Sequence, residues 1–432
     1  MALAGGVPAA HHRPQRARSV PVRNRLFLPL CLLILVNQLG FGLITPVLPA
    51  YARSFGLSAG AVGLVIGVYG LARFLANVPA GQLAERRGRK PVLILGTAIT
   101  TVASALMATA GSLPELLLYR LLAGFGAATV LTGGQVMVGD LATPENRGRM
   151  MSLYQGFFLV GVGLGPTPGG LLADHFGLHA PFVAYAVFSG LACLVALFVI
   201  RETKPRDAVR VAAPDPAVRP EGSRAVVWSA PFLLVGLVSF VQFFARTGAF
   251  FTVVPLLGKD RLGLSDAQIG YTQTLAQAVN LAVLYHAGLL ADRLGRKRVI
   301  VPATLVCGLA LALFALSGGY AVYLLSAFVW GLGSGFAGPS PAAYVADLAP
   351  PALRGRVFGA YRSLADSGYI VGPILLGWLA GVGGYGLPLL LTAALFLLSG
   401  ALFGLAAPEL ALRAGRPQPS AQSGRRASGT LS

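Results

Sequence analysis

The chain has 432 residues, 55% of them hydrophobic and only 11% charged, with a formal net charge of +19 at pH 7. Soluble domains carry about 25% charged residues, so this composition excludes a string of ordinary globular domains and makes lipid the main solvent. The positive charge would suit a nucleic-acid binder, but the cations sit in loops between apolar runs rather than along one face, which excludes that class as well.

Residues 1–25 form a basic tail with five Arg, followed by "LFLPLCLLILV". That run resembles a secretory signal, but it continues to Ala50 and eleven further apolar runs follow, so it reads as a retained first helix. Crossing roughly 30 Å of hydrocarbon takes about 20 helical residues. Windows of that length predict twelve spans, at 26–50, 59–81, 91–111, 114–137, 150–174, 180–200, 229–257, 266–290, 299–318, 320–346, 357–381 and 386–407. Residues 201–228 interrupt the series with six cations and four Pro and read as a flexible linker between two six-helix halves. Residues 408–432 read as a disordered tail. Cys31, Cys193 and Cys307 fall inside spans with no metal-ligand spacing and read as small core residues.

The first span holds Asn37 and Gln38 but no acid, and the second holds Tyr69 and Arg73. The second ends in "GQLAERRGRK" (81–90), which returns as "GLLADRLGRK" at 288–297, seven of ten residues identical at an offset of 207. At the same offset Asp140 matches Asp347, Arg147 matches Arg354, and Gly165-Pro166 matches Gly372-Pro373. The two halves are therefore copies, related by an axis along the membrane normal, an arrangement that in transporters places the site between them near the midplane. Of the 34 Lys and Arg, 27 lie in the tails, the linker and the loops on the same side. The opposite loops hold little more than Arg53, Lys259 and Arg261, so both termini are expected in the cytoplasm.

A charge at mid-helix costs at least about 2.5 kcal/mol, which makes Arg73, Arg120, Arg246, Arg362 and Asp366 functional candidates. Asp366, about ten residues into its span and so roughly 15 Å deep, is the one carboxylate expected near the midplane. Desolvation and the neighbouring Arg362 act on it in opposite directions. It reads either as a proton carrier or as a static i, i+4 pair with Arg362. Arg120 has Ala327 at the matching position, so this charge does not follow the repeat. The segment "GVGLGPTPGG" puts Gly161, Gly165, Pro166, Gly169 and Gly170 on the fifth span, where they permit close backbone approach and a bend; ordinary small-residue packing is the alternative.

Together these motifs resemble the major facilitator superfamily of secondary transporters over nearly the whole chain outside the tails. The family's loop pattern of Gly, any, Leu, Ala, acid, Arg, any, Gly, Arg, basic is met by Gly81, Glu85, Arg86, Gly88, Arg89 and Lys90. It is met again by Gly288, Asp292, Arg293, Gly295, Arg296 and Lys297, with Glu85 standing where the family has Asp. The box reads as a latch on the cytoplasmic side. Arg89 reaches Asp140 and Arg296 reaches Asp347, while each boundary acid faces a helix N-terminus of the other half. Such pairs are expected to hold the inside shut and to break when the protein opens inward. The alternative is loop charges that only anchor and orient helices.

The fifth-span motif is similar to that of the antiport branch, and "NQLGFGLITPVLPAY" is similar to the first-helix signature of twelve-helix drug/proton antiporters. "LLLYRLLAGFGAA" looks like the family's fourth-helix motif, whose Arg is associated with proton coupling, which here falls on Arg120.

The resemblance implies an all-α membrane protein of twelve helices in two pseudo-symmetric halves that exports a small amphiphilic compound in exchange for protons. The partners expected are a small-molecule substrate, protons and the bilayer; the chain is expected to be a monomer with no cofactor or metal and to draw energy from the proton gradient. Asn37, Gln38, Tyr69, Arg73 and Arg246 are expected to line the cavity. No Gly-x4-Gly-Lys-Ser/Thr loop is present, which speaks against ATP hydrolysis, and no enzymatic activity is expected. Thirty Arg against four Lys suggests a GC-rich bacterial genome and so a bacterial cytoplasmic membrane. The rival readings are a proton-coupled importer of a sugar or organic acid and a transport-inactive membrane sensor.

Overall fold

In hydrocarbon every backbone N–H and C=O must be satisfied inside its own segment, which leaves long apolar runs only the helix. A computed structural model describes residues 24–143, 146–204, 220–350 and 353–409. Among them twelve helices are long and apolar enough to cross a membrane. The first half comprises α1 (Leu26–Ile44), α2 (Ala59–Arg87), α3 (Arg89–Ala108), α4 (Leu113–Leu141), α5 (Arg147–Phe176) and α6 (Ala180–Phe198). The second comprises α7 (Ala230–Arg261), α8 (Asp266–Leu294), α9 (Arg296–Ala315), α10 (Tyr320–Leu348), α11 (Arg356–Gly383) and α12 (Gly386–Ala406). The expectations for residues 1–23, 205–219 and 410–432 lie outside the described residues. Within the segment expected to be flexible linker, Pro220–Val227 forms a short helix.

Local chemistry explains where the helices depart from the predicted spans. The first span ends early, at Ile44, because Pro46 has no N–H to continue the ladder. The Thr45 hydroxyl instead donates to the Gly42 carbonyl at 2.9 Å, and a short helix, Leu48–Ser54, follows. In α5 the ladder is interrupted at Gly165-Pro166, and in α10 between Ala337 and Ser340. In α7 the turns widen to a π-helix over Ala245–Val253, where the Thr252 hydroxyl donates to the Thr247 carbonyl at 2.7 Å. By contrast α11 runs unbroken through Pro373.

Twelve crossings return the chain to the face it started from, here called the termini face, opposite the far face. Towards the far face one apolar cluster runs across both halves, joining Tyr51, Val62 and Phe182 to Phe314, Tyr323 and Leu389. Towards the termini face each half has its own cluster, around Leu30, Val138 and Ile200 in the first and Phe232, Tyr344 and Phe403 in the second.

The glycines show the same asymmetry. A methyl group on Gly63 (α2) would overlap the Pro373 carbonyl of α11, and one on Gly270 (α8) would overlap the Pro166 carbonyl of α5. Those two contacts are the same contact in the two repeats. On Gly377 a methyl would lie 2.6 Å from the Ala59 carbonyl oxygen. Nearer the termini face, methyls on Gly156, Gly288 and Gly359 would meet nothing within 4 Å.

Polar bonds also bridge the halves at the far face. Arg53 pairs with Asp260 at 3.1 Å, Tyr385 donates to the same carboxylate, and Asp174 accepts from the N–H groups of Asp266 and Ala267 at 3.0 Å each. The halves are thus pressed together at the far face and parted at the termini face.

Because the Gly63 contact is with backbone, which cannot swing aside, Gly63→Val should destabilise the protein by about 1–3 kcal/mol or more, and Gly288→Val should leave it unchanged. Thermal unfolding of the two purified variants checks this; equal melting temperatures would show that the seam is not packed as described.

Candidate functional site

The gap between the halves is a cavity of about 960 Å³. Its walls come from α4, α5, α7, α8, α10 and α11, and Gly288, Asp292 and Pro339 stand at its mouth on the termini face. At its inner end it adjoins a second cavity of about 170 Å³, with Gln155, Leu159, Phe243 and Arg246 as shared walls.

Among the described residues four charged side chains line the inner cavity: Arg73, Arg246, Arg362 and Asp366. Arg362 Nε lies 3.4 Å from Asp366 Oδ2, so the i, i+4 pair is formed here, with the Arg side chain 62% exposed and the Asp 17%. Arg73 reaches in from the other half and stands 5.3 Å from the centre of the Tyr369 ring. Arg246 leaves the π-helical turn of α7 and stands 5.8 Å from the Phe251 ring centre.

Arg120 is only 2% exposed and lies outside the walls of both cavities. Its guanidinium sits 4.4 Å over the Tyr69 ring, and Nε donates to the Val65 carbonyl at 3.4 Å. Its Nη1 has no hydrogen-bond partner among the described residues. One carbonyl and one ring face therefore do most of the work of holding this charge.

Three residues expected on the cavity wall are elsewhere. Asn37 faces α6, donating to Ser189 Oγ at 3.2 Å, and Gln38 packs beside Gly161 of α5. Tyr69 is buried between Phe41, stacked at 5.5 Å, and Arg120. The rotation of α1 and α2 about their own axes decides this, and Phe41 takes the wall position instead.

The glycines of α5 make close contacts on two sides. Gly161, Gly165 and Gly169 lie against the backbone of α1, and Gly170 lies against Asp266 of α8 in the other half. Sequence reasoning missed the amides that face the cavity, Gln135, Gln155, Gln242, Gln277 and Asn280. The signal was available, since polar amides inside apolar helices point away from lipid.

In the loop box, Arg89 binds Asp140 by two bonds, Nε to Oδ2 at 2.7 Å and Nη2 to Oδ1 at 3.3 Å. Arg296 lies 3.4 Å from Asp347 and 2.6 Å from Asp292. Each pair joins neighbouring helices of one half and is formed while the termini face is open. This structure therefore differs from the expectation that these pairs break on opening at that face: they are formed with that face open, each within one half. Glu85, Arg86 and Arg293 are exposed, and a methyl group on Gly81 would stand 3.7 Å from the Thr132 side chain, in ordinary contact.

A further member of the box comes from outside it. The Glu202 carboxylate caps α3, accepting from the N–H groups of Arg89 at 2.9 Å, Lys90 at 3.1 Å, Thr203 at 3.0 Å and Lys204 at 2.8 Å. Gly88, at φ +103°, lies directly beneath that carboxylate, where a side chain would collide with it. In the other half Gly295 has the same φ and Glu409 takes the same place, accepting from Lys297 N at 3.3 Å. Glu202 and Glu409 are also 207 apart, a match that the repeat could have revealed.

Partial burial alone would raise the Glu202 carboxyl, but the four backbone N–H groups outweigh it and hold the group below its ordinary value. A depressed carboxylate stabilises the fold above its unfolded pKa of roughly 4.3 and loses that contribution as pH falls through the folded value. Glu202→Gln should therefore lower the melting temperature by about 1–3 °C at neutral pH. The gap from wild type should close in scans below roughly pH 4, and a gap independent of pH would rule out a charged cap.

Two copies of a six-helix unit around a central cavity open at one face are the architecture of a secondary carrier. The chain belongs to the Major Facilitator Superfamily, whose family model matches residues 30–366 and 239–430. It is 30% identical over 357 residues to the tetracycline resistance protein, class C, of Escherichia coli, covering 79% of this chain and 86% of that protein. It is 25% identical over 368 residues to the multidrug resistance protein 2 of Bacillus subtilis (strain 168), covering 83% and 90% respectively. Within the superfamily it thus falls with the drug/proton antiporter branch, and it is a multi-pass membrane transporter.

Solved structures share the fold at low identity. A bacterial homolog of the human lysosomal transporter Spinster has a TM-score of 0.73 at 17% identity, over 90% of this chain and 97% of that one. A human organic anion transporter has a TM-score of 0.62 at 23% identity, over 88% and 99%.

Proposed function

We propose that this transporter exports a small amphiphilic compound in exchange for protons by alternating access, and that its termini face is cytoplasmic. The orientation rests on the 27 of 34 Lys and Arg carried by the tails, linker and loops of that face. The state described above is then open to the cytoplasm and closed to the outside. The names of the resistance-protein relatives support export of a drug-like compound.

Coupling rests on one observation: among the described residues Asp366 is the only carboxylate at the inner end of the cavity, set between Arg362 of its own helix and Arg73 of the other half. A substrate that offers Asp366 a positive charge or a hydrogen-bond donor competes with a proton for the same oxygens. That mutual exclusion is the coupling free energy exchange requires. Substrate leaves outward, a proton takes its place, and release of the proton to the cytoplasm restores the Arg362 pair. Arg120, with one guanidinium nitrogen lacking a hydrogen bond, is the second coupling residue. When the termini face closes, Glu85 and Asp292 meet helix N-termini of the opposite half. The transporter acts as a monomer in a bacterial cytoplasmic membrane, powered by the proton gradient.

Proton-coupled uptake of an organic acid is the second reading, and three Arg against one Asp at the inner cavity favour it. Proteoliposomes holding a pH gradient, a trapped pH dye and a panel of dyes, antibiotics and organic acids separate the two by the direction of proton movement. In the export reading a substrate loaded on one side draws protons the opposite way, and Asp366→Asn slows that movement at least about tenfold, the scale of one lost charged contact. Proton movement unaltered by Asp366→Asn would reduce Asp366 to a structural pair, and movement in the same direction as the substrate would establish uptake.

A further inference from the structure

Asp366 engages one end of a substrate, but the cavity it faces is dominated by the opposite charge. Of the four charged side chains at the inner cavity, Asp366 and Arg362 pair with each other. That leaves Arg73 and Arg246, and among the described residues no carboxylate lies within 4.0 Å of either. Arg120 adds a third cation behind Tyr69. Besides Arg246, the larger cavity has one charged residue among those described, Asp292, which is at the mouth and pairs with Arg296 at 2.6 Å. On α1, where an acid could have balanced the excess, Asn37 turns away to Ser189.

The backbone beneath Arg246 is a second, independent observation. It lies in the π-helical segment Ala245–Val253, and wide turns of this kind are rare and frequently found at functional sites. This one is locked in place: Thr252 closes on the Thr247 carbonyl, and Gly248 lies against the Gly372 backbone of α11. Arg246 is also a wall of both cavities, so a ligand in either meets it. A guanidinium offers a flat fork of donors that fits a carboxylate or sulfonate with two bonds. Phe251 turns its ring face to it, Tyr369 turns its own to Arg73, and Phe243 lines the same cavity, apolar surface for an aromatic body.

We infer that Arg246, with Arg73 facing it from the other half, forms a subsite for an anionic group. The compound carried is then an aromatic amphiphile bearing a carboxylate, sulfonate or enolate, together with a donor or cationic group for Asp366. The inference rests on the export reading for the role of Asp366 but makes a separate demand, because the anionic end binds away from the proton-linked carboxylate. It also joins the halves through the ligand, since Arg73 belongs to one and Arg246 to the other.

Four ligands with one naphthalene body test it: 1-naphthylacetate, its neutral amide, 1-naphthylmethylammonium and the zwitterion 3-(1-naphthyl)alanine. Binding is measured by titration calorimetry on the full chain in nanodiscs of uncharged lipid, for wild type, Arg246→Gln, Arg246→Lys and Asp366→Asn. Gel filtration and thermal unfolding confirm that each variant is folded. In wild type the acetate should bind roughly ten- to a hundredfold tighter than the amide, the range for hydrogen bonds to a charged group. Arg246→Gln should bring that ratio close to one and Arg246→Lys should keep most of it.

Asp366→Asn should leave the acetate-to-amide ratio intact and weaken only the ligands that carry an ammonium group. The inference is overturned by a wild-type ratio near one, by tighter binding of the ammonium ligand than of the acetate, or by an unchanged ratio in folded Arg246→Gln. Absence of binding by all four at millimolar concentration overturns it too. Failure of the export reading appears elsewhere, as proton movement indifferent to Asp366→Asn with the acetate preference still present.

Discussion

Backbone-to-backbone contact between the halves at the far face is what the rest of the molecule depends on. Lipid gives no hydrophobic force between helices, so their association rests on dispersion contacts, which fall off within an ångström and need small residues. Gly63 against Pro373 and Gly270 against Pro166 supply that contact in both repeats. Arg53 and Asp260 occupy matching positions of the two repeats, 207 apart, and meet each other across the axis that relates the halves. A seam made of two equivalent contacts and one pair on the axis treats the two halves alike.

The remaining polar contacts of the termini face lie within one half or the other. The Arg89 to Asp140 and Arg296 to Asp347 pairs, and the Glu202 and Glu409 caps, all bind helices of the same half at the termini face. They stiffen the ends of the helices where the two halves have parted and no cross-seam packing supports them. With the termini face open, the charges that a reading of the loop box alone would assign to the gate are intact, and they join helices of one half rather than crossing the seam.

The cavity inherits its character from this division. Its floor is where the halves still touch, and there the charged groups of both are brought together: Arg73 from the first, Arg246, Arg362 and Asp366 from the second. Arg362 and Asp366 neutralise each other on one helix, while for Arg73 and Arg246, costly at this depth, no carboxylate of the described residues lies within 4.0 Å and a ligand can supply the opposite charge. Ligand binding and the relative position of the halves are for that reason one electrostatic problem.

Much of this was legible in the chain itself. The twelve spans follow from apolar run length, the two-half plan from a repeat with a constant offset, and the Arg89 to Asp140 pair from charges that recur at matched positions next to helix ends. These are local or periodic properties, and lipid allows them only one solution, since each span must close its own hydrogen bonds. The break after Ile44 follows locally from Pro46, whereas the π-helical turn around Arg246 is less legible, because it depends on how α7 packs against its neighbours.

Least legible was the direction in which each side chain faces. One residue along a helix turns the side chain by about 100°, so Asn37, Gln38 and Tyr69, in the right spans and at plausible depths, lie between helices while Phe41 and Tyr369 face the cavity. Composition and periodicity thus settled the architecture and the repeat. The rotation of each helix, the partner of each charge and the face at which the cavity opens were left to packing between helices distant in sequence, because only that packing chooses among rotations of nearly equal apolar surface.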